Sequence, residues 1–205
     1  MTERGTLTLN AGSSSLKFAL FTTSGHPRRL WSGAIDRIGL PGAHFLLNDA
    51  RRTVLIDEPG SIDNHRTALT RLLQAIANLP GSLDLVAVGH RFVHGGSECY
   101  CPKRVTPALV ARLRRLRALA PLHMPANLAG IKAVQEARPD LPQVTCFDTS
   151  FHQHIGDRRS LCMGPSSAIC GLRSGSNGFP ASVAHLADTC DVSGADLDVC
   201  AAGPR

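Results

Sequence analysis

Residues 7–21 read LTLNAGSSSLKFALF, and this stretch decides the fold. Leu7 and Leu9 share one face of an alternating strand, and Leu16, Phe18 and Leu20 share one face of a second. Between them Asn10, Ala11, Gly12, Ser13, Ser14 and Ser15 form a tight polar turn, with Lys17 just beyond. Small side chains leave backbone N–H groups uncovered, hydroxyls add donors, and the lysine adds a point charge. That chemistry suits phosphate oxygens at a hairpin turn. The same composition also makes an ordinary solvated loop, so the turn alone leaves both readings open.

Outward from the hairpin, strands are expected over 30–38, 44–47 and 52–56. Asp63 or Asn64 caps a helix running to Leu79, whose Leu69, Leu72, Leu73, Ile76 and Leu79 fall on one face before Pro80-Gly81 ends it. The apolar run 83–88 fits a central buried strand and leads into His90, Arg91, Phe92, Val93, His94, Gly95 and Gly96. Thr106-Pro107 starts a second helix. A break at 120–125 precedes a third helix, in which Leu128, Ile131 and Val134 align until Pro139 stops it. A last buried strand, 143–147, ends at Asp148. Antiparallel strands followed by alternating strand and helix imply a mixed α/β sheet with flanking helices, and polar residues at the ends of its central strands are where ligands bind.

The chain has 205 residues, enough to bury a real core. No apolar run reaches the ~18 residues of a membrane span, and the N-terminus lacks a signal pattern; the expectation is a cytoplasmic protein with no membrane partner. Seven cysteines without repeated CxxC pairs point to reduced thiols. The net charge of +6 comes mostly from arginine, since only Lys17, Lys103 and Lys132 are lysines. Arg112, Arg114, Arg115 and Arg117 crowd one helix. With few aromatics and no reader motif, a solvated face fits that helix better than a nucleic-acid surface.

Four polar blocks therefore stand at element ends: 10–17, 90–96, 121–125 and 147–152. Each has an ordinary reading. Arg91 could be an ion-pair partner, His94 and His123 satisfied loop histidines, and Asp148 a cap. Together they supply a fixed cation, imidazoles, a carboxylate, an amide and a phosphate-holding turn, the inventory of phosphoryl transfer.

The blocks LNAGSSSLKF (9–18), GHRFVHGG (89–96), APLHMPANLAGI (120–131) and FDTSFH (147–152) resemble, in order and spacing, the signatures of acetate kinases. That family belongs to the acetate and sugar kinase, Hsp70 and actin superfamily. The resemblance implies a ribonuclease-H-like (actin-like ATPase) domain, normally duplicated, with ATP between the copies. It implies the reaction ATP plus acetate giving ADP plus acetyl phosphate, with Mg2+ as cofactor and a homodimer in the full-length family. By the same resemblance Asn10 helps hold the magnesium ion, and Ser13, Ser15 and Lys17 lie near the nucleotide phosphates. Arg91 binds the substrate carboxylate and stabilises the transferring phosphoryl, and His123 donates to that phosphoryl. Asp148 acts with the metal or orients the attacking carboxylate. Val93 and Leu122 form a small apolar wall for a methyl group.

The resemblance is carried by residues 1–152, read as one domain. Family members have two such domains of ~200 residues, and the second carries the nucleotide pocket, a further arginine and a metal-binding glutamate. Residues 153–205 change character: they hold Cys162, Cys170, Cys190 and Cys200, are rich in Ser, Gly, Ala, Asp and Arg, and show no helical periodicity. A low-order tail is expected there. Gly178-Phe179 marks the spot of a family Gly-Phe-His-Gly segment, but Pro180-Ala181 follow, so its catalytic histidine is missing. Val183-Ala184-His185-Leu186 only echoes a later phosphate loop. The abrupt change after His152 is the pattern of out-of-frame reading of a GC-rich gene, which the arginine bias suits. The functional readings are thus a truncated, inactive acetate kinase, a kinase for propionate or another short acid, and a non-catalytic remnant that binds carboxylate or phosphate.

Overall fold

Strands β1 (Glu3–Ala11) and β2 (Ser15–Thr22) form the hairpin read from residues 7–21. The computed structural model describes residues 3–23, 26–79, 83–96, 99 and 102–148. The proposed tail 153–205, with its altered reading frame and its two family echoes, lies outside the described residues, as do Thr149 to His152. Across the hairpin Leu7 pairs with Leu20, Leu9 with Phe18 and Ala11 with Leu16. All six side chains are buried on one face, which is what the alternation required.

The sheet continues antiparallel through β3 (Arg29–Asp36), β4 (Ala43–Asp49) and β5 (Val54–Gly60). On the other side of β1 lie β6 (Leu83–Phe92), β8 (Gln143–Phe147) and the short β7 (Lys103–Arg104). The order is β5-β4-β3-β2-β1-β6-β8-β7, with β1, β6 and β8 mutually parallel. Each parallel connection crosses through a helix, as parallel strands require: α1 (His65–Asn78) precedes β6, and α2 (Pro107–Arg115) and α3 (Met124–Ala137) precede β8.

Local chemistry sets these boundaries. Of the two candidate caps for α1, Asn64 is the one used, accepting from the Thr67 N–H at 3.0 Å. Thr106 caps α2 through the Leu109 N–H, with Pro107 at the first helical position. Helix α3 begins at Met124, one residue before Pro125, because a proline in the first turn lacks only a donor that would have no partner there. β7, two residues long, has no periodicity to read and was not expected; it pairs antiparallel to β8 at the sheet edge. β5 begins at Val54 and runs to Gly60, beyond the expected 52–56, because pairing with β4 carries it through Asp57, Glu58 and Pro59.

The larger apolar core lies between the sheet and α1 and α3, with Leu7, Leu16, Leu20, Ile35, Leu47, Leu69 and Leu72 at its centre. A second cluster joins Phe92 and Phe147 at the strand ends to Leu113 of α2 and Met124 and Ile131 of α3. It anchors the segments that carry Arg91 and Asp148. No helix among the described residues is long and apolar enough to cross a membrane.

Candidate functional site

Asn10, near the end of β1, stands opposite Lys17 of β2. Leu9 pairs with His90 across β1 and β6, so Asn10 and Arg91 are the next residues on two neighbouring parallel strands. Strand side chains alternate. Leu9 and His90 turn into the helix-covered core, and Asn10, Lys17 and Arg91 therefore project from the other face. Lys17 is exposed and Asn10 half-buried.

Asp148 follows β8 directly. Its carboxylate takes both prongs of the Arg91 fork, Oδ1 from Nε at 2.9 Å and Oδ2 from Nη2 at 2.8 Å. The side chains are only 16% and 15% exposed, so the pair is largely shielded from water. The ordinary reading of Arg91 as an ion-pair partner is thus true of this structure, and the partner is itself a candidate catalytic residue. A planar guanidinium held this way presents a fixed charge beside the turn.

The turn itself is closed by the Gly12 N–H donating to the Ser15 carbonyl at 2.8 Å. Ser13 is exposed and Ser15 half-buried. Ile38 N–H donates to the Ser14 carbonyl at 2.9 Å, fastening the turn to the β3–β4 connection. His123 is exposed at the entrance to α3 and makes no side-chain capping bond. His94 accepts the Gly96 N–H on Nδ1 at 2.8 Å, closing the His-Gly-Gly turn, where Gly96 has φ +69°. The small wall of Val93 and Leu122 is not packed into either apolar cluster: Val93 is half-buried and Leu122 is 78% exposed.

Beneath Arg91, His90 is fully buried and its Nε2 donates to the Gln143 side-chain carbonyl at 2.8 Å. Burial pushes its pKa down to about 4, against the opposing pull of Gln143, so the ring is neutral. Gln143 opens β8, and the bond ties the strand bearing Arg91 to the strand leading to Asp148. Two more polar side chains hold the turn: His65 Nε2 donates to the Gly12 carbonyl at 2.7 Å, and Asn127 Nδ2 to the Ala11 carbonyl at 3.0 Å. The sequence reading gave His90, Gln143, His65 and Asn127 no role. A signal was present for two of them. His65 heads the buried stripe Leu69, Leu72, Ile76, and Asn127 heads the stripe Ile131, Val134; a polar residue at a core-facing position asks for a partner.

No three His, Cys, Asp or Glu side chains among the described residues cluster as a protein-built metal cage would need. Mg2+ that retains its waters and binds through nucleotide phosphates needs only one or two protein oxygens. Asn10 can supply an amide oxygen, and Asp148 has both oxygens directed at Arg91. A cation carried by phosphates asks for no more than the one amide oxygen that Asn10 can offer.

The strand order and crossovers define a ribonuclease-H-like α/β domain whose polar strand ends gather an arginine, a carboxylate, an amide and a lysine. The Acetokinase family model matches residues 5–170, eighteen residues past His152, and the chain belongs to that family. It is 45% identical over 149 residues to an acetate kinase of Deinococcus radiodurans, covering 72% of this chain and 36% of that protein. It is 40% identical over 158 residues to acetate kinase 1 of Listeria monocytogenes, covering 76% and 39%. Among solved structures it resembles Porphyromonas gingivalis acetate kinase, with TM-score 0.69 and 32% identity over 76% of this chain and 40% of that one. It also resembles a propionate kinase of Francisella tularensis, with TM-score 0.66 and 31% identity over 75% and 38%. The chain thus spans about two fifths of the length of the relatives it matches.

Proposed function

We propose that this chain carries the carboxylate- and phosphate-holding part of an acetate kinase, which transfers the terminal phosphoryl of ATP to acetate. The observation that carries the reading is the Arg91–Asp148 pair, shielded from water beside the turn at residues 10–17. The fork that Asp148 fills has the geometry of any carboxylate or of two phosphoryl oxygens. An incoming acetate can share Arg91, which then neutralises charge on the phosphoryl as it moves.

Acetate is ionised at neutral pH, so no general base is required. Asp148 keeps Arg91 oriented and, by its charge, disfavours any approach of the nucleophile that does not face the guanidinium. His123 donates to the phosphoryl from the entrance to α3. Ser13, Ser15 and Lys17 receive the nucleotide phosphates, and Val93 and Leu122 border the methyl group. Mg2+ brought with the nucleotide would supply charge neutralisation, and Asn10 would hold it. A propionate-type acid fits the same chemistry, since its carboxylate offers Arg91 the same two oxygens.

A second reading is a chain that binds these ligands and does not turn them over. The full chain, with Arg91→Ala beside it, is titrated with acetate and followed by NMR, then assayed for acetyl phosphate from ATP, magnesium and acetate or propionate. Acetate binding that disappears in the variant supports the carboxylate site. Turnover separates enzyme from binder. Absence of acetate binding by the unaltered chain sinks both readings.

A further inference from the structure

The turn at residues 10–15 is held from behind by two helices. His65, the first residue of α1, donates Nε2 to the Gly12 carbonyl at 2.7 Å, and Asn127, in the first turn of α3, donates Nδ2 to the Ala11 carbonyl at 3.0 Å. The two acceptors are consecutive, and the donors come from helices that pack on each other in the same layer. From this geometry we infer that His65 and Asn127 are positioning residues: a two-helix clamp that turns the Ala11 and Gly12 carbonyls inward and so fixes the Ser13 N–H toward the phosphate side. The inference rests on the phosphate reading of the turn and adds the device that sets its affinity.

In a trans peptide the C=O and the following N–H point in opposite directions. With the Gly12 carbonyl directed at His65, the Ser13 N–H faces away from the helices. Ser14 and Ser15 have their carbonyls taken by Ile38 and Gly12, so the Ala11, Gly12, Ser14 and Ser15 carbonyl oxygens are all occupied by protein. An anion approaching from outside therefore meets donors and few competing carbonyl oxygens, the condition for a backbone anion nest.

Asn127 also carries a mark of a role other than stability. It is 3% exposed, and its Oδ1 is buried without a hydrogen-bond partner. A leucine at this core-facing position would bury no unpaired oxygen. α3 crosses β1 at Gly130, where a Cβ would lie in ordinary contact, 3.4 Å from the Ala11 Cβ and 3.7 Å from His90 Nδ1.

The test uses the full chain and sodium tripolyphosphate, followed through the 15N amide signals of residues 10–17, with His65→Ala, His65→Gln and Asn127→Leu. Glutamine can offer an amide donor near the position of Nε2. His65→Ala is expected to weaken tripolyphosphate binding about fivefold to tenfold, the worth of one hydrogen bond, and His65→Gln to restore most of it. Asn127→Leu is expected to weaken binding similarly with little change in thermal midpoint, because the buried Oδ1 disappears as the Ala11 carbonyl loses its donor. Should His65→Ala fail to fold, Asn127→Leu and His65→Gln carry the comparison. Unchanged affinity in a folded His65→Ala or Asn127→Leu overturns the clamp and leaves the phosphate reading standing. No binding by the unaltered chain overturns the phosphate reading, and the clamp with it.

Discussion

Arg91 and Asp148 pair side-on at the ends of β6 and β8, with both carboxylate oxygens within 2.9 Å of guanidinium nitrogens. The strands are parallel, and Phe92 and Phe147 beside the pair are in tilted ring contact at 5.9 Å between centroids. An apolar clasp between neighbouring strands thus holds an ion pair in register. The guanidinium of Arg91 is thus held at a fixed point before any ligand arrives, as the proposed phosphoryl transfer would need.

Removing both members should cost less than the two single removals added together. Arg91→Ala leaves the Asp148 carboxylate shielded without its fork, and the loss expected is about 1–3 kcal/mol, below that of a fully buried pair because some solvent reaches both groups. The double variant Arg91→Ala/Asp148→Ala should lose less than the sum of the singles in urea unfolding. Strict additivity would show that the pair is not coupled in solution.

His90 links stability to pH. Its folded pKa of about 4 lies below the unfolded value of 6.5, so the unfolded chain binds the extra proton between these values. The contribution is complete above pH 6.5 and is lost as pH falls toward 4, by an amount on the order of 3 kcal/mol. Urea unfolding at pH 7 and pH 4.5 should show a smaller drop for His90→Gln than for the unaltered chain. Equal drops would assign the pH dependence to other groups.

Gly95 has no room for a methyl group. A Cβ there would sit 2.6 Å from the Cys99 carbonyl oxygen and 2.9 Å from Phe147 Cγ. Gly95→Ala is expected to destabilise by about 1–3 kcal/mol or to push Phe147 off its contact with Phe92. A thermal midpoint equal to that of the unaltered chain would contradict this packing.

Cys146 should be inert in the folded protein. Burial pushes its thiol up to about 12, and Cys99 is also fully buried. Iodoacetamide at pH 8 is expected to leave both unlabelled until denaturant is added, as peptide mass mapping would record. Labelling of Cys146 before unfolding would mean that β8 opens locally.

Much of the fold was legible because each signal was local. The alternation of Leu7, Leu9, Leu16, Phe18 and Leu20 names the buried face of the hairpin without reference to anything distant. Thr106-Pro107 and the stripe of α1 work in the same way. β7 was illegible, since two residues carry no period and the strand exists only by pairing with β8. Leu122 stands 78% exposed, and the packing of a loop side chain depends on neighbours that no spacing rule supplies.

By itself the sequence determined the hairpin, the order of helices and strands, and the four polar blocks that mark an acetokinase relative, since each depends on residues within a few positions of one another. Tertiary structure decided which residues meet. Arg91 and Asp148 are 57 positions apart, His65 and Gly12 are 53, and Asn127 and Ala11 are 116. Those encounters follow from the parallel register of β1, β6 and β8 and from helices that cross behind them. A hydrogen bond needs its two atoms about 3 Å apart, and only the packed sheet brings such distant parts of the chain that close.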